Sequence, residues 1–116
     1  MYLFTYRSPA ADGMFGACHT LDVPFVWGSC DAEGSKQFVG VRPQVEALSA
    51  CMQDAWLSFA RTGNPAHGGL PAWPPYDSGR RATMILGETC EIENAPRDAE
   101  RHAWQAVRAQ AEGAPA

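Results

Sequence analysis

Proton transfer at neutral pH is the natural work of histidine, whose ordinary pKa lies closest to it, and this chain carries three: His19, His67 and His102. His67 falls in a glycine- and proline-rich stretch. His102 stands beside Arg101 on a helical segment with a solvated face. Both read as ordinary surface histidines. A serine nucleophile needs the sharp elbow G-x-S-x-G, and none of Ser8, Ser29, Ser35, Ser49, Ser58 or Ser78 has glycines two places to either side. Cys18, Cys30, Cys51 and Cys90 never form the C-x-x-C spacing of a zinc or redox motif. Cys18 with Cys30 could close a short loop in an oxidising compartment, although dispersed cysteines more often act as small buried apolar residues. A zinc site from Cys18, His19 and Cys90 gains no support from the spacing.

The elements that must position these residues can be read from pattern. Tyr2-Leu3-Phe4-Thr5-Tyr6-Arg7 is aromatic and β-favouring and stops at Ser8-Pro9. It predicts a strand buried on both faces, of the kind found in parallel sheets. Small residues and Asp12-Gly13 then make a loop. Leu21 to Gly28 predicts a short turn or helical segment packing inward, and the polar stretch Ser29 to Gln37 a surface loop. From Pro43 to Thr62, Val45, Leu48, Met52, Ala55, Trp56 and Phe59 recur at intervals of three and four, which predicts an amphipathic helix. Pro43 suits its first turn, and Gly63-Asn64-Pro65 ends it. Residues 66–79 are irregular, with Trp73 and Tyr76 as anchors. Ala82 to Gly87 is a short strand. Asn94 to Glu112 is helical in composition, with Ala103, Trp104 and Val107 as the expected buried stripe, and Gly113 to Ala116 are expected to fray.

The 116 residues, 46 % hydrophobic and 19 % charged, suit a globular fold. A net charge of -4 with scattered basic residues removes the electrostatic basis for nucleic-acid binding. The apolar stretches are too short to span a bilayer, and Met1 to Phe4 shows no charged leader. Residues 1–116 read as one segment without an internal boundary.

Two spaced motifs carry a family resemblance. Gly16-Ala17-Cys18-His19-Thr20-Leu21-Asp22-Val23-Pro24-Phe25-Val26-Trp27-Gly28 is similar to the pattern G-A-x-H-x-x-E/D-L-P-F-V-F-G, and Trp56-Leu57-Ser58-Phe59-Ala60-Arg61-Thr62-Gly63-Asn64-Pro65 to W-x-x-F-A-x-T-G-N-P. With the strand before them and Trp73-Pro74-Pro75-Tyr76 after them, the chain resembles the C-terminal end of type-B carboxylesterases, which include para-nitrobenzyl esterases and cholinesterases. Trp27 and Asp22 depart mildly from the pattern, and residues 28–42 match no motif.

The resemblance implies an α/β fold: a C-terminal fragment of an α/β-hydrolase, with a few strands packed against one long and one terminal helix. It implies that His19 is the catalytic histidine and that no cofactor or metal is used. Serine, acid and oxyanion loop lie upstream in such proteins, so the chain is expected to be inactive alone. Asp12 reads as a turn residue rather than a recruited acid, and Gly68-Gly69 as a plain turn rather than an oxyanion hole. Asp22 reads as a structural acid pairing with backbone or an arginine, or else as a group near His19. Trp56 and Phe59 read as core packing before gorge lining. Expected partners are the remainder of the hydrolase, with an ester substrate, or a second copy joined through exposed strand and helix faces. A non-catalytic interaction module is the competing reading.

Overall fold

The computed structural model describes residues 1–112; the expectation of fraying at Gly113 to Ala116 lies outside the described residues. Three strands form one sheet in the order β1 (Tyr2–Phe4), β2 (Ala82–Leu86), β3 (Glu91–Asn94). β1 pairs parallel with β2, Tyr2 opposite Met84 and Phe4 opposite Leu86, and β2 pairs antiparallel with β3. The strand buried on both faces is therefore β2, every residue of which is buried. β1 is shorter than its apolar run suggests and only partly covered, because among the described residues its outer edge has no partner. Past Phe4, the Thr5 N–H still donates to the Leu86 carbonyl at 2.8 Å. Then Tyr6 turns inward, its hydroxyl donating to the Val39 carbonyl, and the strand ends.

The chain returns from β1 to β2 through four helical pieces: a 3-10 turn at Ala10–Gly13, α1 (Val23–Val26), α2 (Ser35–Val39) and α3 (Pro43–Thr62). α3 has the expected bounds. Pro43 opens it and Gly63, at φ 75°, closes it by donating its N–H to the Phe59 carbonyl at 2.7 Å, a left-handed cap that glycine adopts without strain. Val45, Leu48, Met52 and Ala55 are buried, whereas Trp56 is half-buried and Phe59 is 58 % exposed. The last turn of the expected core stripe is thus only partly covered, Trp56 packing edge-on against Tyr2 with centroids 5.1 Å apart.

Residues 29–34 form the expected loop, but α2 replaces its end, residues 35–37, with helix. Lys36 N–H donates to Ala32 O at 3.1 Å and Gly40 N–H to Lys36 O at 2.9 Å, while Val39 alone is buried. One buried residue leaves no periodicity to read. β3 claims Glu91–Asn94, and the following turn holds Ala95 and Arg97 at φ 52° and 55°, so the last helix, α4, spans Asp98–Glu112. It has no buried residue. Trp104 is 67 % and Val107 53 % exposed, against the expected buried stripe, since an amphipathic face needs a surface to cover it. Trp73 is an anchor, its indole N–H donating to the Met1 carbonyl at 3.1 Å; Tyr76 is exposed.

The core gathers Tyr6, Phe25, Val39, Met52, Met84 and Leu86 with Leu21, Val45 and Leu48. Phe25, wholly buried, stacks edge-on to Phe4 with centroids 5.3 Å apart and lies 5.0 Å from Tyr6. Aromatic pairs in this geometry add about 0.5–1.5 kcal/mol beyond their burial.

Candidate active site

The segment carrying His19 is built by closing a loop and then starting a helix. Ser8 N–H donates to Gly16 O at 2.9 Å, pinching off residues 8–16, and the Ser8 hydroxyl ties the base of this loop to Phe38 O at 2.6 Å. Inside it Ala11 and Asp12 take φ 50° and 54°. Two short turns follow: Leu21 N–H donates to Cys18 O at 3.3 Å and Val23 N–H to Thr20 O at 3.1 Å. Thr20 sits at φ 65°, and its hydroxyl donates to the His19 carbonyl at 2.6 Å. His19 therefore occupies the apex of a tight turn between the pinched loop and α1.

α1 is fastened from below. Phe25 plugs the core, and the Ser49 hydroxyl on α3 donates to the Phe25 carbonyl at 2.8 Å. Gln53, one turn further, donates to Ser49 Oγ at 3.2 Å. This chain of bonds transmits the position of the long helix to the segment that follows His19.

The His19 side chain is exposed and makes no hydrogen bond or ion pair among the described residues. It lines a cavity of about 200 Å³ with Cys18, Leu21, Pro24, Ser35 and Phe38. Ser35 and Phe38 belong to α2. The sequence reading missed that wall, because the polar composition around Ser35 masked the helix; the Phe38-Val39 pair before Gly40 was the available signal.

The other candidates lie apart. Ser8 and Ser49 are buried and donate to backbone carbonyls; Ser58 donates to Asn64 O at 2.8 Å. Asp12 is exposed on its strained turn. Asp22 is half-buried and faces Tyr2, not an arginine: the Tyr2 phenol is raised above its ordinary value by burial and, after that, by the Asp22 charge and hydrogen bond. In the Gly68-Gly69 turn the Gly69 N–H is already spent on His67 Nδ1 at 3.1 Å, so it does not act as an oxyanion donor. No group of three or more metal-ligating side chains is assembled among the described residues, and the half-buried cysteines are all free thiols.

What the arrangement can do is hold one imidazole at the rim of a small cavity, with its ring nitrogens open to a proton donor and to an orienting acid. By itself it is one part of a hydrolytic constellation.

Comparison with known proteins agrees with the fold and motifs. A family model described as "Carboxylesterase family" matches residues 1–104. The chain is 37 % identical over 89 residues to phenmedipham hydrolase of Pseudarthrobacter oxydans, covering 75 % of this chain and 18 % of that protein. It is 36 % identical over 101 residues to para-nitrobenzyl esterase of Bacillus subtilis (strain 168), covering 87 % and 20 %. Among solved structures, a carboxylesterase of Geobacillus stearothermophilus superposes with a TM-score of 0.75 at 42 % identity, covering 90 % of this chain and 21 % of that one. The chain spans about a fifth of the length of these relatives. By family model, identity and superposition alike, it belongs to the carboxylesterase family and forms part of that family's α/β-hydrolase fold.

Proposed function

We propose that this chain is the C-terminal part of a serine carboxylesterase and carries its general base, His19, while serine, acid and oxyanion donors belong to polypeptide outside it. The supporting observation is the setting of the ring, at the apex of a braced turn beyond a strand end, exposed over a cavity and unengaged among the described residues. A serine hydroxyl brought within hydrogen-bond reach of one ring nitrogen gives up its proton as its oxygen attacks the ester carbonyl. The imidazolium returns that proton to the departing alcohol. Water then repeats the cycle on the acyl-enzyme, and the other ring nitrogen is held by the acid. No cofactor enters this cycle. Without the nucleophile the chain alone should offer only weak imidazole-type hydrolysis.

The outer edge of β1, unpaired among the described residues, and the exposed Phe59 and Trp104 support the remainder of the hydrolase as partner, continuing the sheet beyond β1. The same free edge favours a second reading, a non-catalytic module that pairs with a second copy of itself.

The test uses a nitrophenyl ester and a fluorophosphonate label on two forms, the chain alone and the chain continued upstream to include a G-x-S-x-G segment. The longer form is expected to turn over and to be labelled, and His19→Ala to lower kcat by about 10³-fold or more. Activity of the longer form within tenfold after that substitution refutes the role of His19. Labelled, His19-dependent turnover by the chain alone refutes its incompleteness. A concentration-dependent dimer of the chain, with no esterase sequence in frame upstream of its gene, decides for the module.

A further inference from the structure

A second cluster of reactive groups lies away from His19. Cys51 on α3 and Cys90 in the turn between β2 and β3 line one cavity, with Gly69, Gly87 and Glu88 on its walls, and this cavity shares no residue with the one beneath His19. The Cys51 thiol donates to the Gly69 carbonyl at 3.3 Å. His67 is locked at both ring nitrogens: Nδ1 accepts from the Gly69 N–H at 3.1 Å, so Nε2 carries the proton and donates to the Cys51 carbonyl at 3.0 Å. That N–H also lies 3.8 Å from Cys51 Sγ, a donor within reach of a thiolate. Both cysteines are only half-buried, so a small oxidant can enter.

We propose that Cys51 and Cys90 are a reversible disulfide pair, an oxidation site that tethers α3 to the β2–β3 turn. The two thiols line one cavity from elements distant in sequence, so the bond would close a loop containing the second half of α3, the proline-rich segment and β2. The co-reactant is a peroxide. One cysteine, as thiolate, displaces hydroxide from hydrogen peroxide and becomes a sulfenic acid; the second sulfur attacks it, the S–S bond forms and hydroxide leaves. With the two thiol protons, the products are one disulfide and two waters. The Cys51 thiol is pushed up to about 11, first by burial and then by the facing Cys90 and by Asp54, which keeps the resting Cys51 protonated at neutral pH.

The experiment treats the reduced chain with hydrogen peroxide, blocks remaining thiols with iodoacetamide, digests it and maps the peptides by mass. Peptides containing Cys51 and Cys90 are expected joined, lighter by two hydrogens and separable by dithiothreitol, with Cys18 and Cys30 alkylated. The unfolding midpoint should rise by several degrees on oxidation and fall back on reduction. Joining in native buffer should outpace joining in urea by about tenfold or more, since only the fold brings the sulfurs together. The proposal is overturned if Cys51 and Cys90 remain alkylatable after peroxide, if either pairs instead with Cys18 or Cys30, or if urea leaves the rate unchanged. Cys51→Ala should leave Cys90 alkylatable, and Cys90→Ala should do the same for Cys51. The unmutated chain decides the matter if either variant fails to fold.

Discussion

Gly87 follows β2 beside Thr5, which follows β1, and replacing it by alanine should reveal how tightly those strands are held. A Cβ built there would lie 2.3 Å from Thr5 Oγ1 but 3.6 Å from the Thr5 Cβ and carbonyl carbon. The first distance is not tolerable and the others are ordinary contacts. The strands cannot separate cheaply, because the Thr5 N–H bonds the Leu86 carbonyl at 2.8 Å, and Thr5, being β-branched, has few rotamers to retreat to. Overpacking of this kind costs about 1–3 kcal/mol. The backbone of Gly87 is not left-handed, so alanine brings no φ strain and removes unfolded-state entropy, a gain of roughly 0.4–1 kcal/mol. Gly87→Ala alone should therefore destabilise by about 1–2 kcal/mol, the clash less the entropy gain. In a Thr5→Ala background the offending oxygen is gone, and the same change should be neutral or stabilising. The assay is a double-mutant cycle from urea unfolding, run on the chain or on a longer esterase that contains it. An equal cost in both backgrounds, with a coupling under about 0.5 kcal/mol, would refute the steric reasoning.

Three further outcomes are expected. Ser49→Ala removes a buried hydroxyl donor to the Phe25 carbonyl and should cost about 1–2 kcal/mol, read as a lower urea midpoint at unchanged m. The Cys51 thiol is held up at about 11 against an ordinary value of 9.0. Folding thus favours its neutral form, and the resulting stability is complete below pH 9 and lost as pH rises towards 11; thermal midpoints should fall over that window, and less so in Cys51→Ser. Asp22→Asn should bring the Tyr2 phenol part of the way down towards its ordinary value, leaving the rise caused by burial, the larger cause, as followed by phenolate absorbance.

Legibility in the sequence followed the number of residues that repeat a signal. α3 offered six apolar positions at helical spacing between a proline and a glycine cap, and its bounds were readable to the residue. α2 has one buried residue, too few for a period, and its loss hid the part of the His19 cavity wall that Ser35 and Phe38 supply. The partial exposure of β1, Phe59 and Trp104 was unreadable for a different reason. Their apolar character states that something covers them, but not whether the cover is on this chain. His19 stood out only through the motif around it, since its own neighbourhood has no charge partner among the described residues to mark it.

The pairing of Tyr2 with Met84 carries a consequence for synthesis. β1 leaves the ribosome roughly 80 residues before its only partner among the described strands, a delay of about 4–16 s at 5–20 residues per second. During that interval Tyr2-Leu3-Phe4 is a bare aromatic strand with both edges open, and long-range parallel pairing is slow to form. A sheet made earlier in a longer polypeptide could hold β1 at once by its outer edge. The order of translation would then place the strand before the histidine turn, and the turn before the helix that braces it.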